Sequence, residues 1–289
     1  LVGDAMVSGC DTLITCGGPQ SNHARMTAGA ARRMGLHPVL VLDGDDPGSR
    51  QGNLLLDHLL GADIIFSGER DSGDMLAEVA ESLKKKGKKP YIIPLGGSNP
   101  LGAIGYISCI EETVGQIESL GISPVALYAA TGSCGTIAGL ILGKLLFDAP
   151  FRIVGEAVSP SAAVKEERAM KLTLETAELL KSRAAGQPDL LKKLQTVTPE
   201  SVRASFVIVD DQVGEGYGKP TLQCIEAILL LARNEGILTD PVYTSKALAG
   251  MVSDIRRGKY EPTDQVVFLH TGGVPADFAY REALTKGRN

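Results

Sequence analysis

Short apolar segments alternate with amphipathic helical segments along most of this chain, and that alternation limits the folds open to it. The apolar segments lack a period of two, which is typical of strands buried on both faces. Strands are predicted at residues 11–16, 38–43, 62–67, 91–95, 124–130, 151–158, 204–210 and 265–270. Helices are predicted at residues 21–35, 51–61, 71–87, about 100–120, 136–147, 219–235 and 244–257. A charged helical stretch is also predicted between the strand at 151–158 and about residue 185. The pattern predicts an α/β fold in which helices cover both faces of a parallel sheet.

Length and composition exclude several classes of protein. The chain has 289 residues, enough for one large domain or two smaller ones. Its net charge of −5 provides no basic surface for nucleic acid. No apolar window is long enough for a transmembrane helix, so no membrane partner is expected. Five scattered cysteines without zinc-type spacing predict a reducing, cytoplasmic compartment and no metal site.

Four of the predicted strands end in glycine-rich turns. These turns are CGGPQSNH, PLGGSNPLG, AATGSCGT and LHTGG. Turns after parallel strands lie at the carboxyl edge of a sheet, where ligands bind at the topological switch point. Glycine lets the backbone approach a ligand, and each following helix N-terminus offers unpaired N–H groups. Together the turns predict a pocket for an anionic, phosphorylated ligand.

The TGSCGT turn at residues 131–136 is the best candidate for a phosphate cradle. Its predicted phosphate contacts are Gly132, Ser133, Cys134, Gly135 and Thr136, through successive N–H groups and two hydroxyls. The turn has neither the lysine of a Walker loop nor the spacing of a dinucleotide fingerprint. It therefore favours a phosphorylated cofactor or sugar, and an ordinary capped turn is the alternative.

Six motifs in the chain resemble one family of enzymes. In chain order they are QSNHAR, PLGGSNPLGAIGY, TGSCGTIAGL, EGYGKP, EGILTDPVYTSKALAGM and FLHTGGVPADFAY. The set is similar to the D-cysteine desulfhydrase and 1-aminocyclopropane-1-carboxylate (ACC) deaminase family. The resemblance covers nearly the whole chain. It implies pyridoxal 5′-phosphate as the cofactor and the two-domain tryptophan-synthase-β fold, also called fold type II.

The resemblance also implies a domain division and an assembly. A small α/β domain is expected at residues 1–105, and a larger cofactor-binding α/β domain at residues 106–289. Relatives are usually dimers, so a homodimer is expected by analogy. The implied small-molecule partner is an amino acid.

The same resemblance assigns roles to the QSNH turn. Asn22 is expected to donate a hydrogen bond to the phenolic oxygen of the cofactor, and Ser21 to lie near the substrate carboxylate or the scissile group. Helix N-capping is the alternative for both residues. For His23, a structural role and a catalytic role both stay open.

Two tyrosines and two threonines complete the implied site. Tyr217 and Tyr243 match the active-site tyrosines of the family, where a phenol stacks on the ring, bonds the substrate or transfers a proton. Thr244 and Thr271 are expected beside the pyridine ring. ACC deaminases typically carry Glu and Leu at these two positions, whereas the desulfhydrases carry Thr at both. A neutral hydroxyl at the pyridine nitrogen suits elimination of a good leaving group such as thiolate.

The implied activity is therefore α,β-elimination of D-cysteine to pyruvate, hydrogen sulfide and ammonia. ACC deamination and β-elimination of cysteate or another β-substituted D-amino acid are the alternatives among enzymes. A protein that binds the cofactor or an amino acid without catalysis is the alternative from another class.

The lysine that this chemistry requires is the main departure from the family. In relatives it lies in a G-N-K-x-R-K-L-E-F-L segment whose last Leu aligns with Leu1, and the first lysine here is Lys84. The chain is therefore expected to be an N-terminally incomplete version of a longer protein. Lys219 and Lys246 are expected to be surface or structural residues.

Overall fold

The computed structural model describes residues 1–285, which form eight strands and thirteen α-helices within that range. The strands are β1 (Thr12–Gly17), β2 (His37–Leu42), β3 (Asp63–Phe66), β4 (Pro90–Ile92), β5 (Ala126–Thr131), β6 (Arg152–Ala157), β7 (Phe206–Val209) and β8 (Val266–Phe268). The first six helices are α1 (Val2–Val7), α2 (Asn22–Arg33), α3 (Gly52–Leu59), α4 (Ser72–Lys85), α5 (Pro100–Leu120) and α6 (Gly135–Leu146). The others are α7 (Ala162–Arg183), α8 (Pro188–Gln195), α9 (Pro199–Ser205), α10 (Leu222–Glu235), α11 (Thr244–Arg256), α12 (Pro275–Ala279) and α13 (Arg281–Thr285).

The strands form two parallel sheets, where the alternation alone predicted one. Their orders are β3-β2-β1-β4 and β7-β6-β5-β8. All the ladders between these strands are parallel. The α/β fold class with helix-covered parallel sheets is confirmed.

The chain divides into two compact units, each built around one sheet. The first unit contains Leu1–Gly97 and Pro275–Glu282, and the second contains Ser98–Val274 with residues 283–285. Each unit therefore supplies its own hydrophobic core.

Strand β2 shows why the apolar segments are continuous. Val39 and Val41 pack with Leu76 of α4 on one face of the first sheet. Leu40 and Leu42 pack on the other face, in a cluster with Ala24 and Ala28 of α2 and Leu54 of α3. Because helices cover both faces, every residue from 38 to 42 is buried and none needs to be polar.

The second sheet is covered in the same way. Leu127 and Ile153 join the larger core, which includes Leu140 of α6. Tyr128 and Val154, their neighbours along the strands, pack in a cluster with Met251 of α11. Among the described residues, no helix is long and apolar enough to span a membrane.

Candidate functional site

In the first unit, two of the glycine-rich turns meet at the switch point of the sheet. Strand β1 pairs with β2 on one side and with β4 on the other. The chain runs from β1 to β2 and β3 and then crosses back to β4. The turns that follow β1 and β4 therefore leave the same carboxyl edge side by side, as expected for a ligand-binding edge.

Ser21 and Asn22 lie where the chain enters α2. Ser21 is the N-cap, and its Oγ accepts a hydrogen bond from the N–H of Ala24 at 3.1 Å. Asn22 is the first residue of the helix and is half-buried, and its Oδ1 accepts from Nδ2 of Asn53 at 2.7 Å. Capping thus uses the oxygen of Ser21 as an acceptor and does not engage its hydroxyl hydrogen, while among the described residues the amide of Asn22 is held through Oδ1.

His23 belongs to a buried chain of hydrogen bonds. Thr15 Oγ1 donates to the carbonyl of Ile93 at 2.9 Å and lies 2.7 Å from Nε2 of His23. Because the hydroxyl hydrogen of Thr15 points to a carbonyl, its oxygen accepts the hydrogen of Nε2. Burial lowers the pKa of His23 to about 4. The imidazole is therefore neutral at physiological pH and joins α2 to β1, which favours the structural role.

This burial predicts a pH dependence of stability. In the unfolded chain the imidazole has a pKa near 6.5, so acid stabilises the unfolded state before it protonates His23 in the fold. This part of the stability is present above pH 6.5 and is lost as the pH falls towards 4. In urea unfolding, lowering the pH from 7 to 5 should cost the wild type about 2 kcal/mol more stability than it costs His23→Gln, because the other groups that titrate in this range act on both proteins. The exposed His58→Gln variant is the control, and an equal loss in His23→Gln would contradict the assignment.

The second unit repeats the arrangement of turns. Strand β5 pairs with β6 on one side and with β8 on the other, and the chain reaches β8 only after β7. The TGSCGT turn after β5 and the HTGG turn after β8 therefore lie at one carboxyl edge, at the switch point of the second sheet.

The TGSCGT turn forms the N-terminus of α6 and is held by Ser98. Ser98 Oγ accepts from the N–H of Gly135 at 2.9 Å and donates to Oγ of Ser133 at 2.7 Å. A Cβ at Gly135 would lie 2.6 Å from Ser98 Oγ, so glycine is needed here. Of the predicted cradle, Gly135 thus has its N–H engaged by Ser98, and Ser133 contributes its hydroxyl to the same network.

Cys134 supplies backbone, not its thiol, to this turn. It adopts a left-handed conformation with φ of 76° at the N-cap of α6. Its Sγ is buried beside the carbonyl of Lys165 at 3.6 Å, and burial raises the pKa of the thiol. Lys165 Nζ donates to the carbonyl of Gly132 at 3.0 Å, which ties α7 to the start of the turn.

Tyr217 and Tyr243 form a pair. Their hydroxyl oxygens lie 2.6 Å apart, and the rings meet edge to face with centroids separated by 5.8 Å. The ring of Tyr243 also lies against the TGSCGT turn, because a Cβ at Gly132 would be 3.3 Å from its Cε1. The structure therefore brings both predicted tyrosines together and places Tyr243 beside the candidate cradle.

Thr244 is fully buried at the start of α11, next to the carboxylate of Asp240. Its Oγ1 donates to Oδ1 of Asp240 at 2.7 Å and lies 3.4 Å from the carbonyl of Gly272 in the HTGG turn. A Cβ at Gly273, whose φ is 114°, would lie 2.5 Å from Asp240. The DPVYT and HTGG motifs thus pack directly on each other.

The remaining predicted residues differ in their surroundings. Thr271 is exposed within the HTGG turn, and Lys219 is also exposed. Lys246 is fully buried, and its Nζ donates to the carbonyls of Val213 at 2.8 Å and Gly216 at 3.2 Å. Burial lowers the pKa of this amine. Lys246 therefore holds the segment before Tyr217 against α11, in keeping with a structural role.

Three residues of these edges were missed by the sequence analysis. Ser98 lies inside a motif that drew attention for its glycines, and Asp240 opens the DPVYT motif. Asn53 carried no local signal, because its contacts are to residues about thirty positions earlier. Only the Asp-Pro pair at a helix start could have indicated Asp240 as a cap.

Comparison with known proteins adds to this geometry. The family model described as "Pyridoxal-phosphate dependent enzyme" matches residues 4–272. A proposed ACC deaminase of Pyrococcus abyssi is 38% identical over 287 residues, which are 98% of this chain and 80% of that protein. A D-cysteine desulfhydrase of Yersinia pestis is 38% identical over 97% of this chain and 81% of its own length.

A solved structure leads to the same family. The crystal structure of an ACC deaminase homologue superimposes with a TM-score of 0.82 at 35% identity, covering 98% of this chain and 80% of that one. The predicted resemblance and its pyridoxal phosphate dependence are thereby confirmed. With the turns of both sheets at their switch points, the chain belongs to the family of pyridoxal-phosphate-dependent enzymes.

Proposed function

We propose that this protein eliminates hydrogen sulfide from D-cysteine. The overall reaction converts D-cysteine and water to pyruvate, hydrogen sulfide and ammonia. The observation that carries the choice is Thr244, a neutral hydroxyl where the ACC deaminases of the resembling family have a carboxylate. Relatives named D-cysteine desulfhydrase at 38% identity support it. ACC deamination is the second candidate, because a relative and a solved homologue bear that name.

The residues present fit pyridoxal phosphate. In the proposed arrangement, the TGSCGT turn binds the phosphate with the start of α6, where the Ser133 hydroxyl and a helix dipole both favour an anion. Asn22 donates to the phenolic oxygen, and Thr244 and Thr271 lie by the pyridine ring. When bound, the cofactor withdraws electrons from the α-carbon of the substrate.

We assign proton transfer by the protein to the pair formed by Tyr217 and Tyr243. A phenol that shares a hydrogen bond with a second phenol is held in one orientation, as a proton donor or acceptor must be. Tyr217 is 44% exposed and so can reach a substrate, and Tyr243 orients it. Ser21, at the positive end of α2, is assigned to the substrate carboxylate. Residues 1–105 and 106–289 are proposed as the small and large domains.

The test measures products from three substrates with the purified full-length protein and pyridoxal phosphate. Sulfide and pyruvate should form in equal amounts from D-cysteine, at a rate well above that from L-cysteine. Release of oxobutyrate from ACC in preference would overturn the proposal and favour the deaminase.

The phenylalanine variant of Tyr217 tests the assignment of the pair. Tyr217→Phe should lower turnover of D-cysteine by about 100-fold or more, the usual effect of losing a general acid or base. Tyr260→Phe is the matched control, since Tyr260 and Tyr128 form another edge-to-face pair with hydroxyl oxygens 2.5 Å apart. Equal turnover in both variants would contradict the assignment.

A cytoplasmic homodimer is also proposed. All five cysteines are free thiols, which suits a reducing compartment, and the resembling family is usually dimeric. Analytical ultracentrifugation of the purified protein tests the dimer.

A further inference from the structure

Asn53 makes the largest set of amide contacts around the QSNH turn. It is fully buried in the first turn of α3. Its Nδ2 donates to the carbonyl of Gln20 at 2.9 Å and to Oδ1 of Asn22 at 2.7 Å. Its backbone N–H donates to Oε1 of Gln20 at 2.9 Å, and Gln20 Nε2 donates to the carbonyl of Gln51 at 3.1 Å. The side chain of Gln20 therefore fixes the backbone from which Asn53 projects.

The orientation of the Asn53 amide follows from its two outer partners. The carbonyl of Gln20 can only accept, so the atom that faces it must be the nitrogen. Arg25 Nε can only donate, and it lies 3.3 Å from Oδ1 on the opposite side. Exchanging the oxygen and nitrogen of Asn53 would place two acceptors together and two donors together. The assignment is thus set by groups whose roles are unambiguous.

The orientation of Asn22 follows in turn. The Asn53 Nδ2 hydrogen that is not bound to Gln20 points at Asn22, so Asn22 must present its oxygen to it. Its Nδ2 is then directed away from Asn53. Within residues 1–285 the recorded hydrogen bond of the Asn22 side chain is the one through Oδ1. The amide of Asn22 therefore keeps two N–H donors for a ligand, at the N-terminus of α2, where the helix dipole also favours negative charge.

We propose that Asn53 is a positioning residue for the cofactor, which holds Asn22 with its N–H donors towards the phenolic oxygen. This inference rests on the proposed function of Asn22. Without Asn53, the amide of Asn22 can turn and present its carbonyl oxygen, which repels a phenolate. The role of Asn53 is exerted only through Asn22, so its loss should matter only while Asn22 is present.

A double-mutant cycle with pyridoxal 5′-phosphate as the probe tests this dependence. In Asn53→Asp the carboxylate cannot donate to Asn22, so Asn22 turns its N–H groups inward. The dissociation constant, measured by fluorescence titration, should rise about tenfold or more in Asn53→Asp and in Asn22→Ala, the effect of one lost hydrogen bond to a charged group. In the Asn22→Ala background, Asn53→Asp should add less than about a twofold loss.

The controls separate this role from a structural one. Asn234→Asp makes the same change from amide to carboxylate at an exposed position of α10 and should leave the dissociation constant within about twofold. Far-UV circular dichroism checks folding, and Asn53→Ala replaces Asn53→Asp in the cycle if the latter does not fold. Equal losses with and without Asn22, or no loss in either background, would overturn the inference. A wild-type protein that does not bind pyridoxal phosphate would instead overturn the proposed function.

Discussion

Replacing Asp240 by alanine is expected to lower the free energy of unfolding by about 3–5 kcal/mol, because it leaves several buried donors unpaired. The carboxylate accepts from the backbone N–H groups of Val242 at 3.0 Å, Tyr243 at 2.9 Å and Thr244 at 2.8 Å. It also accepts the hydroxyl hydrogen of Thr244, and the side chain is fully buried. Removing it takes the carboxylate acceptor away from three N–H groups at the start of α11. Urea denaturation of the two proteins measures the loss.

Two further variants show whether these hydrogen bonds cause the loss. Asp240→Asn keeps one acceptor oxygen and should lose less stability than Asp240→Ala. Asp264 is an exposed carboxylate that accepts one backbone N–H, from Glu261 at 2.9 Å, so Asp264→Ala should cost within about 1 kcal/mol. Asp240 also holds Thr244, which is proposed to lie by the pyridine ring of the cofactor. Asp240→Ala should therefore also weaken pyridoxal phosphate binding. A decrease of less than about 1 kcal/mol in the free energy of unfolding of Asp240→Ala would contradict this account of α11.

The sequence predicted the strands and the long helices of this fold well, since both depend on local patterns. Strand β2 is apolar from Pro38 to Leu42 because helices cover both faces, and this is visible in the letters alone. The separation into two sheets is not local. It depends on β4 returning to the side of β1 and on β8 returning to the side of β5.

Short elements were predicted less well. Helices α8 (Pro188–Gln195) and α9 (Pro199–Ser205) were not predicted, and the segment 204–210 was expected to be extended from its first residue. Proline at the first helical position and a Thr198–Ser201 capping box start α9, a signal that was present but not used. Helix α10 begins at Leu222 and not at 219, because Thr221 caps it.

The residues of the candidate site also differ in whether the local sequence could predict them. Asn22, Tyr217, Tyr243 and Thr244 were found through motifs, which record residues that act together. Asn53 is bonded to Asn22, Asp240 to Tyr243 and Thr244, and Ser98 to the TGSCGT turn. These contacts depend on how segments pack in the folded chain. Thr15 is an example. Its hydroxyl donates to the carbonyl of Ile93, 78 residues away in sequence, and this leaves its oxygen to accept from His23. Such supporting residues carry little local pattern and emerge only from the folded chain.

Glu156 provides the second large effect, a loss of stability with rising pH. This carboxyl on β6 is fully buried, and burial raises its pKa to about 9, with Asp210, Asp211 and Asp254 adding to the rise. The N–H of Gln212 opposes the shift by donating to Oε1 at 3.2 Å, while Oε2 has no hydrogen-bond partner within residues 1–285. The fold therefore holds the neutral acid at pH 7.

The sign of the effect follows from the two pKa values. The unfolded carboxyl has a pKa near 4.5, so between pH 4.5 and about 9 the folded state binds the proton and the unfolded state does not. The contribution of Glu156 to the free energy of unfolding is fully present below pH 4.5 and is lost as the pH rises to about 9. Between pH 5 and pH 8 the loss is about 3–4 kcal/mol. Glu156→Gln removes the titration with little change of shape, so it should be more stable than the wild type at pH 8 by an amount that shrinks at pH 5. Glu118→Gln, at an exposed position of α5, should have the same free energy of unfolding as the wild type at both pH values. If Glu156→Gln also matched the wild type at both pH values, the Glu156 carboxyl would be ionised inside the fold.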